Sequence, residues 1–93
     1  MKTSLNTEKS YENLSELFKA MANVKRLKLL YIISNGEVTV NEISRILKVR
    51  KSNTSQHLKL LKLMGLVTAR RQGKNVFYKV SSTKIMSLLK LFP

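Results

Sequence analysis

The chain has 93 residues and a formal net charge of +13, with 18 Lys and Arg, five acidic residues and no cysteine. This length suits one small domain, and the lack of cysteine excludes disulfides, thiolate metal sites and thiol redox switches. The N-terminus lacks the apolar segment of a signal peptide and no apolar run approaches membrane-spanning length, so we expect a soluble intracellular protein.

The charge is distributed unevenly along the chain. All five acids are glutamates at or before position 42, so residues 1–42 carry six basic and five acidic groups, while residues 43–93 carry twelve Lys or Arg and no acid. A basic segment with no acids to offset it attracts polyanions through its long-range field. We therefore expect the C-terminal half to contact nucleic acid.

The N-terminal third predicts two amphipathic helices. Residues 1–7 are polar, and we expect them to be disordered. Apolar residues recur at helical spacing from Glu8 to Ala22, and a second helix from about Val24 to Ser34 ends at Asn35-Gly36. The apolar positions are Tyr11, Leu14, Leu17, Phe18 and Met21 in the first helix and, pointing inward, Leu27, Leu30, Tyr31 and Ile33 in the second.

Two further helices follow. "TVNE" at residues 39–42 has the form of a capping box, in which Thr39 and Glu42 satisfy each other's backbone amides. It begins a short helix, about Val40 to Lys48, that is expected to bury Ile43, Ile46 and Leu47. A fourth helix runs from about Ser52 to Met64 and ends at Gly65.

The rest of the chain predicts a β-hairpin and a last helix. "LVTARR" and "VFYKV" are β-prone runs that flank "QGKN", where Gly73 supplies a turn. Ser81, Ser82 or Thr83 then caps a helix that carries Ile85, Met86, Leu88, Leu89, Leu91 and Phe92. The predicted fold is mostly α (α+β), in the order α-α-α-α-β-β-α, as one domain over residues 1–93.

The fourth helix has two different sides. Helical spacing places Thr54, Leu58, Leu61 and Gly65 on a packing side, and Ser52, Ser55, Gln56, Lys59 and Lys62 on the opposite side. Small polar groups near a helix N-terminus suit base edges and phosphates. A short helix, a tight turn and this second helix indicate a helix-turn-helix. The hairpin, with Arg70, Arg71, Lys79 and a tip at Lys74 and Asn75, indicates a DNA-binding wing.

The segments "LFKAMANVKRLKLLYII" and "EVTVNEISRILKVRKSNTSQHLKLLKLMGLVTARRQGKNVFYKV" resemble the ArsR-type winged helix-turn-helix repressors, over roughly residues 14–80. The resemblance implies a homodimer built on the first and last helices, with one recognition helix in the major groove of each half-site. By position, it implies DNA contacts near Lys74 in the wing and, in the recognition helix, at Lys51, Ser52, Asn53, Ser55, Gln56 and His57.

The sequence departs from the family at its metal sites. Metal-sensing members carry ligand cysteines in the segment that matches "EVTVNEI", where this chain has Thr39 and Asn41. Another family site uses Asp and His on the last helix, and "SSTKIMSLLKLF" contains neither. We therefore expect no metal and no cofactor.

A leucine-rich terminal helix on so small a domain favours dimerisation through residues 84–92. The alternative is that the apolar face of this helix is buried by folding back onto the core. His57 lacks metal-ligand partners and is expected to contact phosphate or a base, with simple packing as the alternative. Leu63 projects on the polar side without an assigned role. The expected dimer surface comprises Tyr11, Leu14, Phe18, Ile85, Leu88, Leu89 and Phe92.

No acid–base pair or catalytic triad can be assembled, so the chain is not expected to be an enzyme. We expect a transcriptional regulator, a repressor that binds double-stranded DNA as a homodimer at an inverted repeat, in the cytoplasm and at the nucleoid when bound. The alternatives are an architectural DNA-coating protein, a protein-interaction module and a binder of double-stranded RNA. The expected DNA contacts are Lys51, Ser52, Asn53, Ser55, Gln56, His57 and Lys59 in the helix and Arg70, Arg71, Lys74 and Asn75 in the wing.

Overall fold

A computed structural model describes residues 7–92 of the chain. Five helices and a three-stranded antiparallel sheet, with strand order β1-β3-β2, confirm a mostly helical winged helix-turn-helix. The predicted disorder of residues 1–7 lies, apart from Thr7, outside the described residues. The elements are α1 (Glu8–Met21), α2 (Val24–Ser34), β1 (Val38–Thr39), α3 (Val40–Leu47), α4 (Lys51–Leu63), β2 (Val67–Gln72), β3 (Asn75–Val80) and α5 (Thr83–Lys90).

Side-chain caps set the starts of four helices. Thr7, Asn23 and Ser82 each accept a hydrogen bond from the backbone amide three residues later, at the starts of α1, α2 and α5. The capping box at α3 is confirmed, since the Glu42 amide donates to Thr39 Oγ1 at 3.2 Å and the Thr39 amide donates to Glu42 Oε1 at 2.9 Å. These starts are therefore encoded by residues adjacent in the chain.

The core is assembled around α2, which contacts α1, α4, α5 and β3. This placement corrects the predicted inward face of the helix, because Leu29 is fully buried while Leu27 is 37% exposed. In α3, Ile43 is buried as predicted, but Ile46 is 58% exposed, at the edge of a groove that Val24 and Leu27 of α2 also line. The buried apolar residues are Ala20, Met21, Leu29, Leu30, Ile33, Ile43, Leu58, Leu61, Leu66, Val67 and Leu89.

Strand β1 is the element that sequence patterning missed. It has only two residues, in which Val38 pairs with Tyr78 and Thr39 pairs with Phe77 of β3. Because Thr39 is also the N-cap of α3, this short strand ties the first helix of the helix-turn-helix directly to the hairpin.

Candidate nucleic-acid interface

The turn between α3 and α4 is short and strongly bent. Lys48 takes a left-handed conformation with φ of 57°, and the amide of Val49 donates to the Ser44 carbonyl at 3.1 Å. A left-handed residue ends a helix and reverses the chain with few residues. The turn thus delivers α4 directly after α3, as the helix-turn-helix prediction requires.

Two buried hydroxyls join these helices. Ser44 Oγ donates to Thr54 Oγ1 at 2.9 Å, and both residues are buried. Leu58 and Leu61 continue the same side of α4 into the core, as predicted, whereas Gly65 is exposed because the chain has already left the helix. The inner side of α4 is therefore held by packing and by one hydrogen bond, which determines which residues point outward.

The outer side of α4 is polar, basic and exposed. The side chains there form no hydrogen bond or ion pair with other residues between 7 and 92, so they are available to a ligand. Leu63 is 81% exposed beyond them and rests on neither the wing nor the last helix. The exposed predicted contacts are Lys51, Ser52, Asn53, Ser55, Gln56 and Lys59.

The start of α4 differs from the other helix starts. Its N-cap is Arg50, which makes no side-chain capping hydrogen bond. The backbone amides of the first turn are left without an internal partner in a helix of this kind. Combined with the helix dipole, such amides favour a phosphate oxygen.

His57 lies at the edge of the exposed side rather than at its centre, and it is half-buried. Burial of the imidazole lowers the pKa of His57 below its usual 6.5, and the positive charges of Arg26 and Lys25 on α2 lower the pKa further. The ring is therefore neutral at pH 7.

The wing is a regular hairpin of two six-residue strands. Strands β2 and β3 pair from Val67↔Val80 to Gln72↔Asn75, and Gly73, with φ of 64°, makes the turn. Glycine adopts this left-handed conformation without strain. The predicted wing contacts Arg71, Lys74 and Asn75 are all exposed around this turn.

Arg70 is placed differently from these neighbours. Its guanidinium donates to both carboxylate oxygens of Glu37, at 2.9 and 3.2 Å, and to Gln72 Oε1 at 2.7 Å. It also lies 4.8 Å from the centre of the Phe77 ring. The Arg70 hydrogen bond lowers the pKa of Glu37, and the same bond raises the pKa of Arg70.

Sequence reasoning missed Glu37 and Phe77 in this cluster. The hairpin register places Phe77 opposite Arg70, so that contact follows from correct strand pairing. Glu37 lies 33 positions from Arg70 and reaches it only because β1 pairs with β3.

Most of the residues predicted for the dimer surface are at least partly exposed on one chain. Tyr11, Phe18 and Phe92 are 54%, 52% and 60% exposed, and a shallow depression of about 480 Å³ lies between Tyr11 and Phe18 on α1. Leu89 is only 2% exposed because it packs in the core, so we remove it from that surface. The partly buried members are Leu14, Ile85 and Leu88.

No group of three or more His, Cys, Asp or Glu residues between positions 7 and 92 is arranged to hold a metal ion. Over the same residues, none of the helices has the length and apolar character needed to cross a membrane.

Comparison with known proteins gives consistent matches. The family model described as "Bacterial regulatory protein, arsR family" matches residues 23–69. The chain is 39% identical over 84 residues to the transcriptional activator HlyU of Vibrio cholerae, covering 90% of this chain and 78% of that protein. It is 32% identical to a transcriptional repressor SmtB homolog of Synechocystis, over 83% of this chain and 58% of that protein.

Solved structures agree with these sequence matches. The structure of HlyU from Vibrio cholerae superimposes with a TM-score of 0.84 at 39% identity, covering 91% of this chain and 92% of that chain. The homodimeric winged helix-turn-helix DNA-binding domain of Mb0332 from Mycobacterium bovis superimposes with a TM-score of 0.85 at 28% identity. That match covers 97% of this chain and 82% of the other.

Proposed function

Because this chain belongs to the ArsR family of transcriptional regulators with a DNA-binding winged helix-turn-helix, we propose that it is a homodimeric repressor that recognises an inverted-repeat operator. The observation that carries the proposal is the outer side of α4, where six polar or basic side chains are exposed. We propose that residues 1–93 act as a single domain.

The recognition helix supplies discrimination between sequences. Side chains such as Asn53 and Gln56 offer both a donor and an acceptor, which lets an amide pair with the edge of a base in the major groove. Ser52 and Ser55, one turn apart, line the same side and hydrogen-bond either bases or phosphates. With the unsatisfied amides of its first turn facing a phosphate, α4 enters the groove with its N-terminal end first.

The wing and the flanking lysines supply affinity that is independent of sequence. Lys51 and Lys59 border the polar residues of α4, while Arg71, Lys74 and Asn75 extend from the hairpin. Lys and Arg that neutralise phosphates release bound counterions, so their contribution falls steeply as salt rises. The wing lies along the backbone beside the groove that α4 occupies.

Dimerisation gives the protein two recognition helices. Exposed aromatic side chains on α1, together with Phe92 after α5, provide apolar area that a second copy covers. A two-fold dimer places two α4 helices about 34 Å apart, one helical turn of DNA, which requires an operator with two inverted half-sites. Mb0332 is described as homodimeric, which supports the same assembly here.

Repression is the simplest outcome of this binding. A small dimer that covers a promoter blocks polymerase without needing a second contact surface. The relatives include both a named activator and a named repressor, so the direction of regulation is tested separately, by reporter transcription from the bound promoter.

The architectural alternative is tested by selecting bound sequences from a random duplex pool and titrating the selected and a scrambled duplex across a salt series. We expect a two-fold-symmetric motif, bound about 10³-fold more tightly than the scrambled duplex. An absence of any motif, with both affinities falling together as salt rises, would establish the architectural alternative instead.

A further inference from the structure

The guanidinium of Arg70 is held from several directions within the sheet. It donates two hydrogen bonds to Glu37, one to Gln72, and lies over the Phe77 ring. We call Glu37, Arg70, Gln72 and Phe77 the wing clasp. A bidentate pair between a guanidinium and a carboxylate has defined geometry as well as charge, and Lys does not reproduce it.

The members of the wing clasp lie in two of the strands and immediately before the third. Glu37 immediately precedes β1, Arg70 and Gln72 belong to β2, and Phe77 lies in the central strand β3, paired with Thr39 on one side and Arg70 on the other. Thr39 is in turn the N-cap of α3. The clasp therefore connects the hairpin to the start of the helix-turn-helix.

The charges of the wing are not equivalent. Arg70 forms an ion pair with Glu37, whereas Arg71, Lys74 and Lys79 have no ion pair with any residue of the described range 7–92. A guanidinium that already binds a carboxylate has lost part of its attraction for phosphate. Arg71 and Lys74 lie nearer the hairpin tip than Arg70, where the wing would meet the DNA backbone, whereas Lys79 lies toward the other end of the hairpin, opposite Thr68.

We propose that Arg70 and Glu37 are positioning residues that hold the wing at a defined angle to α4, and that Arg70 is not itself a phosphate contact. This inference rests on the proposed DNA-binding function of the wing. An isolated two-stranded hairpin is marginally ordered; here the hairpin packs on α2, α4 and α5, and β1 and the clasp add its connection to the start of α3. Without the clasp, Lys74 loses its fixed distance from the recognition helix.

The two roles of Arg70 predict opposite results for Glu37→Gln. If Arg70 positions the wing, loss of the carboxylate loosens the angle between the wing and the helix-turn-helix and weakens DNA binding. If Arg70 contacts phosphate, loss of the carboxylate frees its charge and strengthens binding. Arg70→Lys adds a second distinction, because it keeps the charge but not the bidentate geometry.

The experiment uses the full chain and the duplex enriched from a random pool by the wild-type protein. Hydroxyl-radical footprinting measures protection of the flank beside each half-site, and titrations measure the affinities for the selected and scrambled duplexes. For Glu37→Gln and for Arg70→Lys we expect loss of flank protection, retention of protection over the half-site, and affinities for both duplexes lower by about two- to fivefold. The charge-matched control Glu16→Gln, on exposed α1, should leave the footprint unchanged.

A swapped pair distinguishes positioning from general damage. The double variant Glu37→Arg with Arg70→Glu restores an ion pair of opposite direction, and we expect it to regain part of the flank protection that Arg70→Glu alone lacks. Urea unfolding midpoints of all variants check that the fold is intact. Unchanged flank protection in Glu37→Gln, or tighter binding by it, would overturn the inference. A wild-type protein that binds its selected duplex but protects no flank would instead refute the proposed wing contact, and the positioning role with it.

Discussion

Ser44 and Thr54 are the two buried polar residues of the described part of the chain, and each satisfies the other. The hydroxyl pair lies where α3 crosses α4, among leucines and isoleucines. Leaving a buried hydroxyl without a partner costs more stability than one hydrogen bond contributes, because the hydroxyl loses its hydrogen bonds to water and forms none in the protein. The pair therefore holds the two helices in one relative position.

Thr54→Val leaves the Ser44 hydroxyl buried and unpaired, so we expect the free energy of unfolding to fall by about 1–3 kcal/mol. The double variant Ser44→Ala with Thr54→Val removes both hydroxyls and should recover most of this loss. Urea denaturation followed by circular dichroism measures both values. Equal destabilisation by the single and double variants would show that the hydrogen bond is not what matters at this contact.

His57 makes the stability of the fold depend on pH. Its folded pKa lies below its usual 6.5, so between these two values the unfolded chain binds a proton that the folded chain does not. Stability should therefore fall as pH decreases through about 6.5 and level off below the folded pKa. Since His57 is the only histidine, His57→Gln should remove the change in the urea unfolding midpoint between pH 5.5 and 7.5. A wild-type midpoint that is constant across this range would contradict the assigned burial.

At the scale of elements, α4 and the β2–β3 hairpin are proposed to contribute differently to DNA binding. The inner side of α4 is fixed in the core, so its outer side presents amides and hydroxyls at defined positions. The hairpin presents charge at the end of two strands. A rigidly placed side chain can discriminate between bases, whereas a cation at the end of the hairpin attracts the phosphate backbone of any DNA sequence.

Gln56→Ala and Lys74→Ala should separate these contributions. We expect Gln56→Ala to cost about 1–3 kcal/mol on the selected duplex and little on the scrambled one. Lys74→Ala should weaken binding to both and reduce the slope of log affinity against log salt by about one. Lys9→Ala, near the start of α1, makes the same charge change away from both elements and serves as the control. If Gln56→Ala lowered the affinity for both duplexes equally, Gln56 would not contribute to sequence discrimination.

At the scale of the whole molecule, the apolar surface of α1 and the end of α5 remain uncovered on one chain. Tyr11 and Phe18 are seven positions apart on the same side of α1, and both are about half exposed. Large aromatic side chains in this situation dominate the energy of an interface when a partner buries them. The dimer is thus expected to depend on a few residues.

Phe18→Ser should shift the protein toward monomer, because the aromatic anchor of the interface is lost. With only one recognition helix per particle, affinity for an inverted repeat should fall by about a hundredfold or more. Sedimentation velocity and titration of the selected duplex measure the two effects. Val24→Ser removes a side chain that is 70% exposed on α2, outside this surface, and should change neither. A dimeric Phe18→Ser protein would place the interface elsewhere.

The sequence by itself determined the features that depend on neighbours along the chain. The Thr39–Glu42 box is predictable because cap and partner are three residues apart, and Gly73 marks its turn through its own backbone freedom. The two sides of α4 follow from the periodicity of the helix, which is why Thr54, Leu58 and Leu61 are buried as predicted. Composition alone shows that residues 43–93 are basic, and this is sufficient to predict a nucleic acid partner.

Only the tertiary structure decided which of several apolar faces is covered. Leu27 and Ile46 have suitable helical positions yet remain exposed, while Leu29 is buried, because α2 is enclosed by α4, α5 and β3 rather than by a single neighbour. Strand β1 is too short to show a pattern, and its pairing with β3 brings Glu37 to Arg70 across 33 positions. Contacts between distant residues depend on how the elements pack, and local spacing carries no information about that packing.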